Sequence, residues 1–251
     1  MNAHLLNTLH NENCITTMQR ITDDTIDLIL TSPPYDNLRQ YDGYTFDFLT
    51  TSKELTRILK PGGVIVWVVG DETRNGTESG TSFRQALQFI ENGLNLHDTM
   101  IYEKNSSTFP AQKSSNRYTQ IFEYMFVFSK GKPTATLICD KPNKWAGHKD
   151  YAGKLKNPVP DYSPRTNIWR YTTSKNSFGH PAPYPLELAK DHIKTWTTPH
   201  QTVYDPFMGS GTTAIASIEL ERNWIGSEIS EQYCEIIKTR IAQQPKIKGN
   251  K

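Results

Sequence analysis

Gln201-Thr202-Val203-Tyr204-Asp205-Pro206-Phe207-Met208-Gly209-Ser210-Gly211-Thr212-Thr213 decides the fold of this chain. It begins as a buried strand, passes through a glycine loop, and ends as the start of a helix. Glycines let a backbone approach a ligand closely, and a helix N-terminus offers unpaired N–H groups and positive potential. Fifteen residues beyond Thr213, the apolar Trp224-Ile225-Gly226 ends in Ser227-Glu228. An acid at the end of the next strand lies beside such a loop and can accept hydrogen bonds from both hydroxyls of a ribose. Gly-x-Gly alone reads equally as a helix-packing turn. The strand before, the helix after and the acid beyond favour an adenosine-type ligand. The wider Gly-x-Gly-x-x-Gly spacing of NAD sites is missing, since Ala214 holds the third position, and there is no Walker lysine.

Outward from this loop, strands and helices alternate. Ile26–Leu30 reads as a buried strand, Thr50–Leu59 as a helix stopped by Lys60-Pro61-Gly62-Gly63, and Val64–Val69 as a strand buried on both faces. Ser82–Asn92 reads as a helix closed by Gly93, and His97–Glu103 with Glu123–Phe128 as an antiparallel strand pair. Tyr184–Thr195, Thr213–Leu220 and Glu231–Ala242 are further helices, with strands at Thr202–Tyr204 and Trp224–Gly226. This order implies an α/β fold, a mostly parallel sheet with helices on both faces. Periodicity is lost between Lys130 and Lys175, where ten Lys or Arg stand against three acids, a local balance of +7 in a chain of net charge +2. Trp145, Tyr151, Tyr162, Trp169 and Tyr171 are interleaved. Such a stretch suits a surface that follows phosphates and packs on bases; a solvated loop with a small satellite core is the plainer alternative.

Thr31-Ser32-Pro33-Pro34-Tyr35 follows the first strand. Consecutive prolines fix φ and carry no N–H, so the carbonyls of Ser32 and Pro33 point in set directions. An exocyclic amino group on cytosine or adenine is a poor nucleophile because its lone pair is delocalised into the ring. A carbonyl and the Ser32 hydroxyl, each accepting one N–H, would pull that nitrogen toward tetrahedral geometry. Tyr35 supplies a face on which a flipped base can stack, worth ~1–3 kcal/mol.

At 251 residues the chain is long enough for one α/β domain with an insertion. Cys14, Cys139 and Cys234 lie far apart with no CxxC pair, which argues against a zinc site or disulfide framework and suits a reducing cytoplasm. No apolar stretch approaches the ~18 residues of a membrane helix, and Met1–His10 lacks a signal-peptide pattern. No metal is called for.

The two motifs resemble those of the amino-methylating DNA methyltransferases, which use S-adenosylmethionine (SAM) to modify cytosine N4 or adenine N6. Ser32-Pro33-Pro34-Tyr35 matches the catalytic tetrapeptide and Phe207–Thr213 the cofactor loop; Asp205, Phe207, Gly209, Ser210, Gly211, Thr212 and Thr213 are the implied cofactor residues there. Glu228 matches the ribose acid. His180-Pro181-Ala182-Pro183-Tyr184-Pro185 resembles the segment that helps to hold the methionine part. Asn13 stands where the family usually carries an acid near the adenine. The order of catalytic motif, insertion and cofactor loop resembles the beta group. It implies a Rossmann-like class I methyltransferase fold, circularly permuted, with a catalytic half at 1–129, a target-recognition insertion at 130–178 and a cofactor half at 179–251. The implied partner is double-stranded DNA, met by Arg39, Lys104, Lys113, Arg117, Lys141, Lys144, Lys149, Lys154, Arg165 and Arg170. A cognate restriction endonuclease and a monomer or homodimer are the further expectations. Ser rather than Asp at position 32 resembles the cytosine-N4 enzymes. Adenine-N6 transfer and a DNA-binding protein with an inactive site remain the alternatives.

Overall fold

The computed structural model describes residues 3–34, 46–105, 116–148, 157–172 and 184–244. Along the chain run β1 (Thr8–His10), α1 (Cys14–Gln19), β2 (Ile26–Thr31), α2 (Phe48–Ile58), β3 (Leu59–Val69), β4 (Thr73–Arg74), β5 (Thr77–Glu78) and α3 (Thr81–Glu91). They are followed by β6 (Asn95–Lys104), β7 (Phe122–Ser129), β8 (Cys139–Pro142), β9 (Tyr162–Pro164) and β10 (Ile168–Tyr171). The last third holds α4 (Leu186–Trp196), β11 (Thr202–Asp205), α5 (Thr212–Glu219), β12 (Asn223–Ser227) and α6 (Glu231–Ala242).

Among the described residues, eight strands form one sheet in the order β1-β12-β11-β2-β3-β7-β6-β10. All neighbours are parallel except those of β7, which runs against β3 and β6. The expected antiparallel pair is therefore present, with Met100 opposite Met125. Strand order reverses between β11 and β2, and a crevice opens beyond the carboxyl ends of strands at such a point. The sheet is covered on both faces. Ile29, Ile65, Trp67, Phe126 and Phe128 pack with Leu55 and Ile58 of α2 and Phe89 of α3. Their alternating neighbours Leu28, Leu30, Val64, Val66 and Val127 pack with Leu188, Ala189 and Ile193 of α4 and Ala216 of α5. Burial on both sides explains why β2 and the second half of β3 are apolar runs instead of alternating ones.

Side chains hold the starts of α2 and α3. Asp47 Oδ1 accepts the Thr50 N–H at 3.1 Å at the head of α2, and Asp71, just beyond β3, accepts the Ser82 N–H at 3.0 Å at the head of α3. At the other end of α2, the Lys60-Pro61-Gly62-Gly63 stop works through close packing. A Cβ on Gly63 would lie 2.9 Å from the Lys60 carbonyl oxygen and 3.1 Å from that of Asp27.

Three parts of the chain differ from the sequence expectation. β1, α1 and the β4–β5 hairpin are not anticipated, being too short to show a period. The stretch from Lys130 is also not a separate insertion throughout. β8 and β9 pair with each other, whereas β10 joins the main sheet beside β6, with Trp169 opposite Tyr102. Trp169 faces the core while its neighbours Ile168 and Arg170 are exposed. A period of two is therefore present, but over only four residues.

Candidate active site

β2 and β11 run side by side, with Leu28 opposite Val203 and Ile29 opposite Tyr204. Their carboxyl ends place Ser32-Pro33-Pro34 and the Pro206–Gly211 loop at one rim. One carboxylate joins them. Asp205 is 1% exposed, and its Oδ1 accepts the Thr31 hydroxyl at 2.7 Å and the Phe207 N–H at 3.0 Å. Its Oδ2 accepts the Thr213 hydroxyl at 2.5 Å and the Tyr184 hydroxyl at 3.3 Å; the Tyr184 and Thr213 hydroxyls are themselves hydrogen-bonded. Burial pushes the Asp205 carboxyl above the usual carboxylate range, opposed by the Thr213 and Thr31 hydroxyls. Asp205 was expected to contact the cofactor. Its oxygens are instead occupied by protein donors, so it builds the loop that would do so.

The rest of the loop is shaped by glycine. Gly211 heads α5 with φ +85°, and a Cβ there would lie 3.1 Å from Ile237 of α6. Across the loop, a Cβ on Gly226 would collide with the Met208 side chain. Glu228 lies just beyond β12 and is nearly buried. Its Oε2 accepts the Gly209 N–H at 2.8 Å and its Oε1 the Ser230 N–H at 2.9 Å. Burial raises this carboxyl too, against those two amides. Phe207 meets Phe46 edge to face at 5.2 Å between centroids. Asn13 is on the same rim after β1, where its Oδ1 caps α1 by accepting the Ile15 N–H at 2.9 Å. Nearby His10 keeps a buried Nε2 with no partner among the described residues. A backbone cradle, a carboxylate beside it and an unmatched buried ring nitrogen fit an adenosine-type cofactor.

Tyr35, His180 and Pro181 lie outside the described residues, as do Arg39, Lys113, Lys149 and Lys154. Of the remaining basic residues expected on DNA, four are held in ion pairs within the protein. Lys104 is 7% exposed, and its Nζ lies 2.5 Å from Glu123. Arg165 bridges Asp140 at 2.5 Å and Asp191 at 2.8 Å and lies over the Trp169 ring at 5.1 Å. Lys104 thus ties β6 to β7, and Arg165 ties the chain between β9 and β10 to β8 and α4. Arg117 reaches the Gly76 carbonyl and lies 3.5 Å from Glu78, and Arg170 lies 2.7 Å from Glu103 with its side chain 72% exposed. Lys141 and Lys144 are exposed, with Lys144 5.8 Å from the Trp145 ring. Sequence reading gave no separate role to Tyr184, which it quoted only within the His180–Pro185 segment, and missed Thr31 and Arg240, which bonds the Ser210 carbonyl and, at 3.1 Å, its hydroxyl. Thr31 had a signal, a hydroxyl ending an otherwise apolar run. Among the described residues no group of three His, Cys, Asp or Glu could hold a metal ion, and no helix is long and apolar enough to cross a membrane.

The sequence profile of the family described as DNA methylase (N6_N4_Mtase) matches residues 26–239, which include both motifs and everything between them. The chain is a DNA methylase of this family. Its relatives include the orphan methyltransferase M.BamHII of Bacillus amyloliquefaciens, 51% identical over 244 residues that cover 89% of this chain and 91% of that protein. Among solved structures, the PvuII DNA methyltransferase (cytosine-N4-specific) superposes with a TM-score of 0.75 at 22% identity, covering 96% of this chain and 87% of the other. M1.HpyAVI in complex with SAM superposes with a TM-score of 0.65 at 24% identity, covering 93% and 98%. The methylase thus has the class I methyltransferase fold, and its cofactor is SAM.

Proposed function

We propose that this methylase transfers a methyl group to the N4 amino group of a cytosine flipped out of duplex DNA at a specific site. The observation that carries this reading is the meeting of Ser32-Pro33-Pro34 and the cofactor loop at the rim between β2 and β11, joined through Thr31 and Asp205. The Ser32 hydroxyl and the Pro33 carbonyl accept the two amino N–H bonds and turn the nitrogen lone pair toward the cofactor side. Tyr35 stacks on the extruded ring. Gly209–Gly211 and the head of α5 hold the cofactor's amino-acid part, Glu228 its ribose, and Asn13 its adenine. Bound SAM supplies a methyl group on a positively charged sulfur. Rate then comes from positioning and from fixed dipoles, with no covalent enzyme intermediate. Ser32, in place of an acid, favours cytosine N4 over adenine N6. Exposed Lys141 and Lys144 beside the β8–β9 pair supply phosphate contacts. Incubation with tritiated SAM and DNA from a methylation-free host tests the activity. Label should enter the DNA; DNA binding without any incorporation would leave only the inactive-site alternative.

A further inference from the structure

We propose that Thr31 is a positioning residue for methyl transfer: its hydroxyl, held by Asp205, sets where the Ser32-Pro33-Pro34 turn stands relative to the cofactor loop. This rests on the amino-methyl-transfer reading above. Thr31 is fully buried, ends β2 and directly precedes Ser32. Leu28, Ile29 and Leu30 before it are apolar, and valine would fill its volume without burying a hydroxyl. A buried hydroxyl costs free energy unless it is bonded, and this one donates to Asp205 Oδ1 at 2.7 Å.

The same carboxylate holds the Phe207 amide, the Thr213 hydroxyl and the Tyr184 hydroxyl. It therefore ties four segments together: the end of β2, the glycine loop, the first turn of α5 and the approach to α4. The paired residues of β2 and β11 stop at Ile29 and Tyr204, two positions short of Thr31. The side-chain bond carries the alignment of the two strands onward to the rim, where the amino group and the methyl donor must meet. A β-branched side chain has few rotamers, so the tie is stiff. The cofactor loop keeps its own bonds to Asp205 and Glu228 when Thr31 is changed, so loss of the tie should displace the turn and leave the cradle.

Thr31→Val and Thr31→Ser separate this role from a merely structural one, with turnover on DNA, SAM affinity by calorimetry and thermal midpoint measured together. A misplacement of ~1 Å can cost about 100-fold in rate. Thr31→Val should lower kcat at least tenfold, keep the SAM Kd within about twofold, and leave DNA affinity unchanged. Thr31→Ser, which keeps the hydroxyl, should restore most of kcat. The proposal is overturned if Thr31→Val keeps kcat within twofold, or loses SAM affinity as much as turnover. It is also overturned if a folded Thr31→Ser loses tenfold or more of the unchanged protein's kcat, a result that can be read even should Thr31→Val fail to fold. Absence of methyl transfer by the unchanged protein would instead break the underlying reading.

Discussion

The crevice between β2 and β11 and the sheet edge at β10 are both rich in polar side chains, yet they use them in opposite ways. At the crevice, hydroxyls and backbone amides converge on two nearly buried carboxylates, Asp205 and Glu228, and leave a backbone cradle facing outward. At the edge, cations are paired with acids, as in Arg165 with Asp140 and Asp191 and Arg170 with Glu103. The edge pairs bind an added strand to the body of the protein. A run of basic residues is therefore not by itself a DNA-binding surface. What counts is which of its cations lack an acid neighbour, and among the described residues of the run Lys132, Lys141 and Lys144 are exposed and make no ion pair.

If this division is correct, changes at the crevice alter chemistry without altering stability, and changes at the edge do the reverse. The largest effect should come from Ser32→Ala, with turnover reduced about 100-fold, as for loss of one positioned transition-state group. SAM affinity and thermal midpoint should stay near those of the unchanged protein; steady-state kinetics and calorimetry check both.

The next effect belongs to the seam under the edge. His192 of α4 is fully buried, stacks on Trp169 at 4.6 Å, and points Nε2 at the Met125 sulfur 3.3 Å away. Burial pushes its imidazole down to about 3 from an ordinary 6.5, against a smaller opposing pull from Asp191. Between those values the unfolded chain takes up a proton that the folded one refuses. Its contribution is therefore intact above pH 6.5 and is lost as the pH falls toward 3, by about 1.4 kcal/mol per pH unit. Urea unfolding at pH 7 and pH 5 should show the loss in the unchanged protein and a flatter response in His192→Gln.

Arg165→Met should lower stability by about 1–2 kcal/mol, because its pairs are only partly screened by solvent and Asp191 is left without its cation. Turnover at low temperature should be unaffected, which assays on the folded variant can establish. Smallest of all, Lys141→Ala with Lys144→Ala should weaken DNA binding about tenfold. The slope of log affinity against log salt should fall by roughly two, as expected when two phosphate contacts are lost. Kinetics at saturating DNA should be preserved. An unaltered slope would return the phosphate contacts to other residues.

Legibility in the sequence follows the same division. The strand, glycine loop, helix and acid from Gln201 to Glu228 could be read because local chemistry dictates local geometry there. Helices such as Glu231–Ala242 carried their own period, and the apolar runs announced a parallel sheet. β10 was hidden because four residues cannot establish a period, and its partner β6 lies more than sixty residues earlier. The ion pairs of Lys104 and Arg165 were hidden for a related reason. Glu123 and Asp191 become their neighbours only once the sheet and α4 are assembled. The Thr31–Asp205 bond joins residues 174 positions apart, so only the odd hydroxyl at the end of β2 hinted at it.

The most direct test of the central claim is mass spectrometry of nucleosides from DNA treated with the methylase and SAM. N4-methylcytosine should appear, and at matched enzyme and time it should be about 100-fold scarcer in DNA treated with Ser32→Ala. N6-methyladenine in its place would contradict the assignment of the base, and 5-methylcytosine or no modified nucleoside at all would contradict transfer to an amino group at this crevice.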